Sequence, residues 1–476
     1  MHRILRKRRA HLIACLLAVA LLLAVLPLFA HPGIVQSTAA GSQAPTAPTA
    51  LPNTPAGRTL RAFLDAFNTG EIEALRRFHR EHGGDEAYAE KDLGFFKESG
   101  GLKVHRITRS SDYEIEILAQ SMRGDAWFKF SIAVEKAPPH GIAGIRVEPG
   151  DAPSPGSAGG ASKPSDSSSL SAREPKLTQS ETVAQLESYL KKRVADDQFS
   201  GVVLIAHNGK PIFQQAYGLA SKEHNAPNRV DTKFNLGSIN KIFTRIAILQ
   251  LQEQGRLTLA DSIGKILPDY PNKQAATKVT IAHLLEMESG ISDFFGSEFD
   301  ATPKNRIRTI NDYLPLFATK PLAFEPGSRR AYSNGGYIVL GAIIEKISGQ
   351  SYYDYVRAHV FAPAGMDSTD SYEFDVIVHN RASGYTLKSN GSNGSNGARV
   401  NDVYTKPARG SSAGGGYSTA EDLLKFTLAL EGKKLLGAEG TRRILEGGLG
   451  IAGGAPGPNA ALEISPASGY TVIVLS

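Results

Sequence analysis

The chain has 476 residues, enough for two or three domains, and its 41% hydrophobic and 21% charged residues are ordinary globular values. Its net charge of +6 first suggests an anionic partner, but Arg3, Arg6, Lys7, Arg8 and Arg9 supply most of that excess and the first 33 residues hold no acid. The remainder is close to neutral, which gives no case for nucleic acid as a partner.

Residues 1–33 join that basic start to an apolar run, Leu12 to Ala30. The pattern is an export signal, or a membrane anchor through residues 12–30 if it is retained. Either places the body in the periplasm or another extracytoplasmic space. Arg8-Arg9 is a twin arginine without the flanks of that pathway, and Leu12-Ile13-Ala14-Cys15 resembles a lipoprotein box, although the apolar run continues past it. Cys15 is the one cysteine, so the body has neither disulfides nor thiol chemistry. Residues 34–55, rich in Ala, Pro, Thr and Ser, read as a flexible tether.

Residues 56–148 form a small domain. Leu60, Phe63, Leu64 and Phe67, then Leu75, Phe78 and His79, fall at helical spacing. After Gly100 the period becomes two: Tyr113, Ile115 and Ile117 alternate with polar residues, and Trp127–Ile132 and Ile142–Val147 follow as strands. Helices followed by a strand meander make an α+β unit. Its pattern resembles the cone-shaped NTF2-like fold, which can hold a pocket or pair with itself. No cluster of acids, bases or metal ligands accompanies it, and Trp127 reads as a core residue. Residues 149–176, Ser-, Gly- and Pro-rich, cannot bury a core and form a second linker.

From 177 to 476 the pattern changes again. A helix over about Ser180–Val194 leads into Gly201–Ala206, a His-Asn-Gly turn and Pro211–Gly218, which is a hairpin. A long helical middle follows, and strands at Ala460–Ile464 and Tyr470–Leu475 close the chain. This order predicts an antiparallel sheet flanked by helices.

A Ser-x-x-Lys tetrad puts a hydroxyl and an amine on one helix face. A lysine that loses its proton through burial or a cationic neighbour can act as base toward the serine. The tetrad occurs three times. Ser188–Lys191 lies inside an amphipathic helix and Ser262–Lys265 in a connector, where chance explains them. Ser238-Ile239-Asn240-Lys241 follows Phe234-Asn235-Leu236-Gly237 and opens an apolar helix carrying Ile242, Ile246 and Leu249. Ser238 then sits at a helix N-terminus, where a free N–H and the helix dipole favour developing negative charge, unless its hydroxyl merely caps that helix. Tyr332-Ser333-Asn334, just after Phe324-Glu325-Pro326-Gly327, can bring a phenol and an amide to the same cleft; the phenol shuttles protons if nearby cations lower its pKa. Tyr270-Pro271-Asn272 has the same spacing but lies in a Pro-bounded loop.

With these residues, and with Thr280–Leu285, Ser289–Ile291, Phe324–Gly349 and Gly414–Leu423, residues 177–476 resemble the serine β-lactamases, penicillin-binding proteins and related esterases, especially their class C-like branch. The resemblance implies an acyl-enzyme hydrolase of an ester or amide: a β-lactam, a D-amino-acid peptide or a small ester. Ser238 would be the nucleophile, Lys241 its helper, Tyr332 the proton shuttle, and Asn334 a contact to substrate or lysine. The oxyanion hole would use the Ser238 N–H and a late-strand amide, that of Gly454. No cofactor or metal is implied, and the 12 histidines show no His-Glu-x-x-His spacing.

Two departures stand out. The family's third motif begins with Lys or His, and here Ile451 occupies that place, which argues against substrates whose carboxylate meets such a cation and fits an ester or amide lacking one. The family's closing helix has no counterpart after Leu475, as in a truncated or degenerate copy. Both favour a rival reading, a catalytically weak or silent shell that senses cell-wall or other ligands. Glu286-Met287-Glu288 also departs from the family's loop. Gly410-Ser411-Ser412-Ala413-Gly414 fits a nucleophile elbow, but that fold requires a later histidine, and none follows His379.

Overall fold

The computed structural model describes residues 51–84, 88–124, 126–135, 138–150, 178–387 and 399–476. The signal or anchor (residues 12–30), Cys15, and most of the tether and linker lie outside them. Among the described residues no helix is long and apolar enough to cross a membrane. The described residues fall into two compact units, 51–150 and 178–476.

The first unit packs helices α1 (Pro55–Phe67), α2 (Ile72–Glu81) and α3 (Tyr88–Ser99) on a four-stranded antiparallel meander. Its strands, in order, are β1 (Leu102–Ser110), β2 (Glu114–Ser121), β3 (Trp127–Val134) and β4 (Ile142–Gly150). Thr54 caps α1, its Oγ1 accepting from the Gly57 N–H at 3.1 Å. The α1 stripe Leu60, Phe63, Leu64 and Phe67 is buried as its spacing predicts, and Phe63 stacks on Phe67 and on Phe130 of β3. Two elements are additions to the sequence reading. α3 lacks a clean apolar stripe, and β1 is an edge strand exposed along most of its length, so neither face imposes alternation. Trp127 is a correction: it is only half-buried and stands edge-on to His105, outside the Phe-rich core.

The second unit is built on an antiparallel sheet of β5 (Gly201–His207), β6 (Lys210–Tyr217), β7 (Leu449–Gly454), β8 (Asn459–Ser465) and β9 (Tyr470–Leu475), ordered β7-β8-β9-β5-β6. Helix α4 (Gln179–Ala195), fixed by a Thr178–Glu181 capping box, covers one face. Val203, Ile205, Val472 and Val474 pack with Leu186 and Leu190 on that side, whereas Val202, Leu204, Ile473 and Leu475 point into the main core. Both faces are covered, so β5 and β9 read as unbroken apolar runs. The main core is formed with α5 (Asn240–Glu253), α6 (Asn334–Ser348) and α7 (Ala420–Glu431).

Helix α5 is central. Ile242, Phe243, Ile246, Ala247, Ile248 and Leu249 are all buried, and a left-handed Gly255 follows its end. The Phe243 ring stands edge-on to both Phe361 and Phe426, at 5.1 and 5.2 Å. Phe243→Ala is expected to cost about 3–5 kcal/mol, since it removes a large buried ring from a close-packed site. Urea unfolding followed by circular dichroism measures this; a loss under about 1 kcal/mol would show that the site collapses around the gap.

Candidate active site

Ser238 lies in a 3₁₀ turn, Gly237–Ile239, that feeds directly into α5. The residue before the helix is Ile239, and Ser238 makes no capping hydrogen bond, so the N-cap reading falls away. The turn is pinned from two sides. Leu236 N–H donates to the Gly416 carbonyl at 2.7 Å and Gly415 N–H to the Gly237 carbonyl at 3.1 Å, next to the short pairing of Phe234–Asn235 with Tyr417–Ser418. On the other side runs the end of β7. Gly237 has φ +48°, and a Cβ on it would stand 2.6 Å from the Gly454 nitrogen; a Cβ on Gly453 would stand 2.8 Å from the Ser238 nitrogen. Only glycine permits this approach, which lays the Gly454 amide against the Ser238 turn.

Lys241 is 5% exposed. Its Nζ donates to Asn334 Oδ1 at 2.7 Å and to the Ala413 carbonyl, and stands 3.1 Å from Ser238 Oγ. Burial pushes its pKa down to about 7, against the opposing pull of the Asp293 carboxylate. Near neutral pH a large share of the amine is therefore unprotonated. With two N–H groups held by Asn334 and Ala413, the lone pair faces the Ser238 hydroxyl.

Tyr332 and Asn334 flank the start of α6. Ser333 caps that helix, its Oγ accepting from Gly336 N–H at 2.9 Å, so Tyr332 lies just outside it and Asn334 is its first residue. Tyr332 Oη meets Ser238 Oγ at 2.6 Å, and its ring centroid is 4.8 Å from Lys241 Nζ. Its pKa is raised, by burial first, and the Asp293 carboxylate adds to the rise against the bond from Ser238. This corrects the expectation of a phenol made acidic by cations: Tyr332 keeps its proton.

Asp293 was not singled out by sequence reasoning. One carboxylate oxygen, Oδ2, accepts from both the backbone N–H (3.0 Å) and the Nδ2 (2.8 Å) of Asn334, at the N-terminal end of α6 where the helix dipole favours an anion. Holding Nδ2 turns Oδ1 toward Lys241. The only sequence signal was its place two residues past Ser289-Gly290-Ile291.

Ser238, Tyr332, Asn334 and Gly454 line one cleft of about 310 Å³. Phe294, Phe295, Tyr372 and Phe374 give it an aromatic wall. Ile451 sits in β7, half-buried against the main core, so that strand presents no cation. The other matches to the motifs have structural roles. Lys191 pairs with Glu187 and Lys265 with Asp261, Ser262 caps a short helix, and Asn272 caps another behind a buried Tyr270. Ser412 is 0% exposed and sits against Gly341, where a Cβ would stand 2.4 Å from its Oγ, so no elbow serine forms. Instead the Ser412 and Ala413 carbonyls accept from Thr244 and Lys241. Glu286 pairs with Arg245 of α5 at 2.7 Å, which accounts for an acid in that loop.

A family model described as Beta-lactamase matches residues 186–476. A penicillin-binding protein of Bacillus subtilis is 36% identical over 177 residues, 37% of this chain and 38% of that protein. The protein flp of Staphylococcus aureus is 34% identical over 189 residues, 39% of this chain and 37% of its own length. The chain thus spans less than two fifths of either relative. A crystal structure of a penicillin-binding protein from Bacillus halodurans aligns with a TM-score of 0.55 and 31% identity, over 60% of this chain and 94% of that one.

The lysine chemistry sets a pH dependence. Labelling of Ser238 by a fluorophosphonate is expected to be slow in acid, where Lys241 is protonated, and to rise with a midpoint near 7. Because the Asp293 charge raises the lysine's pKa, Asp293→Asn is expected to move that midpoint to lower pH. A midpoint unmoved or shifted upward would separate Asp293 from the site.

Proposed function

The chain belongs to the β-lactamase family, and from that premise we propose that it is an exported serine hydrolase that forms an acyl-enzyme at Ser238 with an ester or amide. The convergence of Lys241 Nζ and Tyr332 Oη on Ser238 Oγ, at 3.1 and 2.6 Å, carries this reading. Ser238 Oγ attacks the carbonyl carbon as its proton passes to the neutral Lys241 amine. The resulting oxyanion is received by the Ser238 and Gly454 N–H groups. Tyr332, protonated and bonded to Oγ, hands a proton to the departing alkoxide or amine and is recharged from Lys241. Water then attacks the acyl carbon by the same path in reverse, releasing the acid and restoring the Ser238 hydroxyl.

The aromatic wall supports a substrate with an apolar group beside the scissile bond. The basic start and the Leu12–Ala30 run support export, which cell fractionation tests; a protein found only in the cytoplasm would overturn it. Three helices on a four-stranded meander support the NTF2-like reading of the small unit and, with it, self-association. A monomer in sedimentation equilibrium at all concentrations would remove the latter.

The second reading, a silent ligand-binding shell, is favoured by Ile451, which leaves β7 without a cation. Treating the purified chain with a fluorophosphonate and with a fluorescent penicillin distinguishes the two. An adduct on Ser238 is expected, and Ser238→Ala should abolish it and lower p-nitrophenyl ester turnover by roughly a thousandfold or more. No adduct from either reagent on the native chain would leave the binding shell; unchanged ester turnover by Ser238→Ala would mean that the nucleophile is another residue.

A further inference from the structure

The cleft is lined by neutral side chains with one exception: among its described lining residues, Lys406 alone carries a charge. It does not come from the strand where the family's cation stands. It comes from the segment before Pro407-Ala408, and its side chain is 18% exposed, enclosed but reachable. Its Nζ stands 2.8 Å from Asp402 Oδ2, and Asp402 is buried. Asp402 is itself held in place. Its N–H donates to the Gly384 carbonyl, and its own carbonyl accepts from the N–H and Oγ1 of Thr405.

This anchor lies beside the oxyanion strand. Two missing Cβ atoms make room for Asp402: one on Gly384 would stand 2.0 Å from Oδ2, and one on Gly457, with φ +102°, 2.6 Å from it. Gly457 belongs to the turn Ala455–Pro458 that follows Gly454 directly, and Ala455 and Pro456 line the same cleft. The ammonium is therefore tethered next to the turn that leaves Gly454, on the strand whose own motif offers Ile451. An ammonium carries three N–H donors, so the 2.8 Å ion pair with Asp402 Oδ2 engages one and leaves others for a ligand.

We infer that Lys406 is the anion-binding residue of this cleft, and that the substrate is an ester or amide bearing a carboxylate near its scissile bond. The inference rests on the acyl-enzyme reading above and deepens it. It revises the expectation drawn from Ile451: the cation missing from β7 is supplied by a loop packed beside that strand. A carboxylate that reaches this ammonium gains a charge-assisted hydrogen bond that its neutral counterpart lacks.

The test compares matched substrates on the full chain. In one pair the carboxylate is on the acyl side, p-nitrophenyl hydrogen glutarate against p-nitrophenyl butyrate. In the other it is on the leaving group, 4-acetoxybenzoate against phenyl acetate. The native protein is expected to prefer the carboxylated member of at least one pair in kcat/KM. Lys406→Met and Lys406→Gln should each lower that ratio by about tenfold, while Lys406→Arg keeps most of it. If the native chain prefers the neutral member of both pairs, or if both neutral variants keep the native ratio, the inference is overturned. Circular dichroism of each variant identifies any that fails to fold, and the native ratios stand independently of the variants. Fluorophosphonate labelling of native Ser238 separates the two failures: a labelled serine without carboxylate preference sinks only Lys406, whereas an unlabelled one sinks the acyl-enzyme.

Discussion

The burial of a single amine organises the second unit's cleft. Lys241 is drawn into a site walled by α5, the start of α6 and the Ser411–Gly416 loop, where water cannot solvate an ammonium. Taking that group out of water is costly, and the structure offsets the cost with fixed acceptors, an amide oxygen and a carbonyl. Those acceptors also decide which direction remains for the lone pair. Desolvation and hydrogen bonding thus act together: the first lowers the ammonium's pKa so that the amine is partly neutral near pH 7, and the second aims it at Ser238. Asp293 works from one step further out by orienting Asn334, and its charge holds the lysine's pKa above what burial alone would give.

The parts of this arrangement that could be read in the sequence are those whose chemistry and local periodicity coincide. Ser238 and Lys241 share a helix face, and Tyr332 and Asn334 bracket a helix cap, so short-range spacing is enough to pick them out. The double-faced strands β5 and β9 were equally legible because both faces demand apolar residues. Legibility fails where a residue's role depends on partners distant in sequence. Asp293 is an ordinary acid until the fold sets it under Asn334, and Lys406 is an ordinary loop lysine until Asp402 and Gly457 place it beside the cleft. The same holds in the small unit, where β1 carries no alternation because as an edge strand it buries little, and Trp127, a core residue by type, is left at the margin.

The false matches carry the complementary lesson. Ser188, Ser262, Ser412 and Tyr270-Pro271-Asn272 satisfy motif spacings as well as the real cluster does. What separates them is the surrounding demand on each side chain. Ser262 and Asn272 are occupied as helix caps, and the Ser412 hydroxyl is walled in by Gly341. The proposed nucleophile requires an approach path and a base whose own hydrogen bonds leave it a lone pair, and among these described matches Ser238 is the one that lines the cleft beside such a lysine.

Close glycine packing explains why a strand with the wrong first residue can still belong to the site. Gly453 and Gly237 let β7 approach the nucleophile turn until backbone nearly touches backbone, and that contact places the Gly454 amide whatever side chain stands at 451. The oxyanion role proposed for the strand is therefore a backbone property, separable from the charge that its side chain would add. Once the two are separable, a cation can be brought in from any segment that packs against the turn after Gly454, and Gly457 opens the space in which Asp402 can seat one. Replacing Ile451 by lysine would put a charge where the side chain now packs against the main core, and the cost of burying it there opposes the change.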